Sequence, residues 1–177
     1  MVSNLIKKLK PYLVYLRERC LPLLALLFPF IEINYHFGSK VFLSIDSLPL
    51  KLLYMNHLAT LARFYGENNL AVFAVMVTVF ISCSRGRPIK LTKFVRFNII
   101  QAILLNIIGT VIGSIFTELP VWCRESLIGL MFANFIYLGV LFVIGYSVLL
   151  ILYGRYPKIP VISEAARLQV QRAYLDD

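Results

Sequence analysis

Four apolar stretches, Leu21 to Ile33, Leu70 to Cys83, Phe97 to Phe116 and Leu127 to Tyr153, are each bounded by charged or turn-forming residues. Clumping of this kind is the pattern of a multi-spanning helical membrane protein. Charged residues make up 15% of the chain, against about 25% in a soluble domain, and mean hydropathy is +0.78. The expected fold is all-α: a polytopic membrane protein with four transmembrane helices, both termini inside, and amphipathic helices at the interface.

The net charge of +9 invites a nucleic-acid partner, so the placement of the charges matters. Lys7, Lys8, Lys10, Arg17 and Arg19 precede the first span. Arg85, Arg87, Lys90, Lys93 and Arg96 form a basic inner loop between the second and third, and Arg155, Lys158, Arg167 and Arg172 follow the fourth. Fourteen of the eighteen basic residues thus fall on alternate segments, which is the positive-inside pattern for four helices. Topology accounts for the basicity, and no nucleic acid is expected.

The segments follow from this pattern. Residues 1–20 are a basic flank or a short amphipathic helix, 21–36 the first span, and 37–67 an outer loop. Residues 68–84 are the second span, 85–96 the inner loop, 97–116 the third span, 117–126 an outer loop, 127–153 the fourth span and 154–177 an inner tail. Pro29 kinks the first span, and Glu32 just beyond it would cost roughly 2.5–3.5 kcal/mol at a bilayer centre, so it faces an interface, protein or water. The 37–67 loop is too apolar to be ordinary. After Asp46 and Ser47, residues Leu50, Leu53, Tyr54, His57, Leu58, Leu61 and Tyr65 share one side, which suits an interfacial helix, a re-entrant segment or the outer half of a long second span. In the tail, Ser163 and Glu164 open a polar helix from Ala165 to about Tyr174.

No nucleophile, base and oxyanion donors assemble along the chain, so enzymatic activity is not expected, and no cofactor is implied. Cys20, Cys83 and Cys123 stand alone. Glu32 and His36, spaced i and i+4, lack the further ligands a metal site needs. The N-terminus reads as neither a secretory signal nor a transit peptide.

Polar groups gather in the third span. At 100° per residue, Gln101, Ala102, Leu105, Asn106, Gly109 and Gly113 all fall within about 80° of Asn98. Ile100, Ile103, Leu104, Ile107, Val111 and Ile115 take the other side, toward lipid. Two explanations fit the stripe. Gly109 and Gly113 make a GxxxG pattern for close helix approach, with amides bonding a neighbour; alternatively the stripe lines a partly hydrated path. In the fourth span Asn134, Leu138, Leu141 and Gly145 form a matching face.

RFNIIQAILLNI in the third span and PKIPVISEAARLQV at 157–170 resemble the two most diagnostic stretches of the 20-kilodalton subunit family of the chloroplast inner-envelope import translocon, TIC. Similarity extends to Pro22, Pro29, Glu32, SRGRPIKLTKF and Tyr146. The resemblance implies a multi-pass protein of the plastid inner envelope, or of the plasma membrane in a cyanobacterium, of a plastid-encoded or cyanobacterial type. It implies a contribution to the channel for precursor proteins beside other TIC subunits. The implied partners are those subunits, transiting precursor polypeptides and membrane lipid; a scaffold role without conduction is the alternative. Asn106 departs from the acidic residue the family pattern leads one to expect.

Overall fold

The computed structural model describes residues 15, 17–44, 46–84 and 91–175. Among them every regular element is helical, and three helices are long and apolar enough to cross a membrane, or four if a bent pair counts as one span. The seven helices are α1 (Arg17–Ser44), α2 (Leu48–Glu67), α3 (Asn69–Ser84), α4 (Lys93–Glu118), α5 (Val121–Arg124), α6 (Leu127–Tyr153) and α7 (Ile162–Leu175).

α1 continues to Ser44, eight residues past the expected end of the first span. Its helical order lapses at Leu26, between Pro22 and Pro29, where the Pro29 ring leaves the Ala25 carbonyl without its usual donor. Farther on it widens into a π-helical turn at Asn34–Gly38, with the Asn34 amide donating to the Phe30 carbonyl at 2.7 Å. A Cβ on Gly38 would sit 2.9 Å from the Tyr54 ring, so α2 packs closely against this turn.

α2 runs back beside the second half of α1, Tyr54 stacking on Phe42 and Tyr65 reaching Glu32. Its own π-helical turn, Tyr54–Leu58, shifts the inward face. Tyr54, Ala62 and Tyr65 are buried, whereas Leu50, Leu53, His57 and Leu61, expected on the same side, are exposed. The chain then turns by 81° at Asn68 into α3, a helix of 16 residues. At 1.5 Å per residue α3 is about 24 Å long, short of the roughly 30 Å hydrocarbon core.

α4 is the central helix. Its first half is enclosed by α1, α3 and α7 in the larger of two apolar clusters, where Ile100 and Ile103 meet Leu26, Cys83, Ala166 and Val170. These two isoleucines were expected to face lipid; the amphipathic α7 covers them instead, leaving Ile107, Val111 and Ile115 exposed. The smaller cluster lies toward the other end, around Ile33, Phe37, Val41, Phe116, Ala133 and Tyr137. A Lys40–Glu125 ion pair of 3.1 Å closes that end. α6 starts at Ser126, whose hydroxyl accepts the Gly129 N–H at 3.1 Å, and stops at Gly154, left-handed at φ 75°.

Candidate functional site

α4 turns its amide and glycine face toward α1. Asn98, Gln101 and Asn106 are buried, Asn106 completely, and Gly109 and Gly113 extend the face. A Cβ on Gly109 would lie 3.7 Å from Glu32 Cγ, and one on Gly113 would overlap the His36 imidazole. The GxxxG pattern therefore makes room for two ionisable side chains of α1.

Those side chains form the centre of a polar layer between the two apolar clusters. His36 Nε2 lies 3.0 Å from Glu32 Oε1, one helical turn away, and the Tyr65 hydroxyl donates to Glu32 Oε2 from the end of α2. Thr110 and Asn106 of α4 complete the surround. Glu32 is only 3% exposed, so the cost of burying its carboxylate is offset by partners from three directions. Asn106 is the fourteenth of the 26 residues of α4, which places this layer midway along the helix. A second link, Tyr137 hydroxyl to Asn34 Oδ1 at 3.0 Å, ties α6 to the π-helical turn of α1.

Three buried polar atoms of the seam have no hydrogen-bond partner among the described residues: Gln101 Oε1, Asn106 Oδ1 and His36 Nδ1. Asn98 is satisfied within α4, donating to the Phe94 carbonyl at 2.8 Å. Asn98 and Gln101 border a crevice, shared with Leu26, Ser147 and Ile159, that is too narrow to admit water. At Asn98 and Gln101 the stripe is thus closed in this arrangement.

Asn134 stands apart from the stripe. It is half-buried on α6 and donates to the carbonyl of Leu130 at 2.8 Å, while Leu138 is exposed and Gly145 borders open space. The expected pairing of this α6 face with α4 does not form, because Glu32 and His36 already fill the glycine-lined gap. α6 turns Ala133, Tyr137, Ile144, Ser147 and Ile151 inward instead.

Of the basic inner loop, Arg85, Arg87 and Lys90 lie outside the described residues, as does most of the amphipathic N-terminal segment. Lys93 is exposed on the first turn of α4. Arg96 is not a loop charge: it is 3% exposed and its Nε donates to the Cys83 carbonyl at 2.7 Å, closing the carbonyl end of α3. Arg19 does the same for α6, donating to the Ile151 carbonyl at 2.7 Å with its guanidinium over the Phe94 ring. Tyr65, Tyr137, Asn34 and Arg19 were not singled out from the sequence as site residues. Tyr65 was legible as part of the inward side of α2, but its partner, 33 residues earlier, was not. No group of three or more His, Cys, Asp or Glu side chains able to hold a metal occurs among the described residues.

Residues 12–166 match the family model described as "Chloroplast import apparatus Tic20-like". The chain is 35% identical over 145 residues to "Tic20 family protein Ycf60" of Gracilaria tenuistipitata var. liui, covering 80% of this chain and 70% of that one. It is 38% identical over 124 residues to the protein of the same name from Pyropia yezoensis, covering 70% of this chain and 56% of the relative. A "Tic20 family protein" of Synechocystis is 32% identical over 124 residues, covering 69% and 75%. No solved structure matches. With the matched residues taking in α1 to α6 and the start of α7, the chain belongs to the Tic20 family.

Proposed function

We propose that the protein is a membrane subunit of a protein-import translocon that contributes to the protein-conducting channel, and that the α1–α4 seam is a closed part of that channel. The observation that carries this reading is the pair of buried, unpaired acceptors, Gln101 Oε1 and Asn106 Oδ1. A seam used only for packing loses about 1–3 kcal/mol for each such group. A seam that parts around an extended polypeptide, carrying Glu32 and His36 away with α1, offers both oxygens to its N–H groups, and the glycines at 109 and 113 add no side chain of α4 to that face. Asn98 and the half-buried Asn134 would join that lining only after the helices separate.

The subunit performs no covalent chemistry in this scheme; a separate motor supplies energy. Its setting is the plastid inner envelope, or the plasma membrane in a cyanobacterium, with other TIC subunits and precursor polypeptides as partners. The basic inner loop, Arg85 to Arg96, and the tail would contact partners or the emerging chain. The test is a photoreactive residue at Gln101 or Asn106 in the assembled translocon with an arrested precursor. Adducts from those positions, but not from the exposed Phe142 on α6, are expected. Adducts confined to other subunits would sink the conduit reading.

The second reading, a scaffold subunit, is favoured by the tight fit of His36 into the space at Gly113. Under it, Asn98→Leu and Gln101→Leu dissociate the complex before they change transport through complexes that remain whole.

A further inference from the structure

The tail and the first turn of α4 enclose a groove of about 700 Å³ at the end of the bundle where α4 begins and α6 finishes. Its floor is apolar, with Phe97, Ile159 and Val170 all at least nine-tenths buried. Among the described lining residues, Lys158 and Arg167 stand on the rim as exposed cations beside one carboxylate, Glu164, which pairs with Arg167 at 3.4 Å. The walls are built rather than incidental. Ser163 Oγ accepts the Ile159 N–H at 2.6 Å and donates to the Pro157 carbonyl at 3.0 Å, pinning the Pro157–Pro160 strip. Phe97 and Phe94 set their rings edge-on to Tyr156, fixing the opposite wall. Val161, at φ 65°, holds a conformation a β-branched residue rarely adopts, on the rim of the same groove.

We propose that this groove binds an anionic phospholipid, with the phosphate at Lys158 and Arg167 and the glycerol and upper acyl chain over Phe97, Ile159 and Val170. Three observations select this occupant. The groove lies level with the ends of two apolar helices, where headgroups sit. Its charge is of one sign in excess, which suits an anion. Its floor continues into apolar side chains, which suits a molecule that is charged at one end only. Basic pockets beside membrane helices bind acidic headgroups for these reasons.

The experiment is native mass spectrometry of the full chain in mild detergent with equal amounts of phosphatidylglycerol and phosphatidylcholine. Preferential retention of phosphatidylglycerol is expected. Each basic side chain removed should weaken retention about fivefold, so the K158A/R167A pair should lose about twenty-five-fold. A remote pair, K51A/R63A, should leave retention unchanged, and unfolding midpoints in detergent should confirm that all variants remain folded. Equal retention of both lipids, or an unaltered preference in K158A/R167A, overturns the proposal. So does displacement of the lipid by soluble glycerol phosphate or by an acidic peptide at matched concentration, which would mark the groove as a simple anion or peptide site.

Discussion

α4 and α6 have nearly equal length and both are apolar enough to cross a membrane, yet 56% of the most apolar stretch of α4 is buried and only 22% of that of α6. The difference lies in what each helix offers its neighbours. α4 carries amides, two glycines and Arg96 on faces that other helices can bond or approach closely. α6 is more uniformly aliphatic and aromatic; Phe135, Phe142, Leu149 and Tyr153 stand exposed, and Gly139 and Gly145 face open space. In lipid, hydrophobicity alone gives helices no reason to associate, so small and polar residues decide which helix becomes the centre.

The contrast can be broken by substitution, read as thermal unfolding of the whole chain in detergent. The largest loss is expected from Glu32→Ala, which strands both Tyr65 and His36 and should cost about 3 kcal/mol. If this variant unfolds at the wild-type temperature, the polar layer does not organise the bundle. Gly113→Leu should follow, at about 2 kcal/mol, because His36 occupies the space the new side chain needs. The matching change on α6, Gly145→Leu, should stay within about 0.5 kcal/mol, and equal damage from both would erase the distinction between the helices. Arg96→Ala should cost about 1–2 kcal/mol by opening the carbonyl end of α3, partly restored by lysine.

Asn134→Leu should have the smallest effect, near zero, since that amide bonds only its own helix. Thiol labelling sharpens the expected topology, provided the right cysteines are compared. Cys83 is 1% exposed and should resist reagents from either side, so the informative pair is exposed Cys20 and half-exposed Cys123. An impermeant reagent applied outside should reach Cys123 and spare Cys20; the reverse would invert the orientation.

Much of this was legible in the sequence, for reasons that also set its limit. Apolar length announces a helix wherever the chain places it, so α4 and α6 appear where the pattern puts them. Angular spacing reports which residues of α4 share a face, and Asn98, Gln101, Asn106, Gly109 and Gly113 do share one. It does not report the partner. Asn134, Leu138 and Gly145 made as good a complementary face as α1 did, and only the three-dimensional fit of Glu32 and His36 to the glycines excludes them. The two π-helical turns were equally hidden, since each adds a residue without a sequence mark and rotates everything after it. Ile100 and Ile103 looked lipid-facing because their cover, α7, comes from a segment whose composition reads as soluble.

The hydrogen bond from Arg19 to Ile151 joins positions 132 apart, near the beginning and end of the spanning region. During synthesis the first helix therefore waits for the last: until α6 has been made and inserted, the guanidinium has no carbonyl end to close. In the finished bundle the half-buried guanidinium holds both the Phe94 ring and that carbonyl.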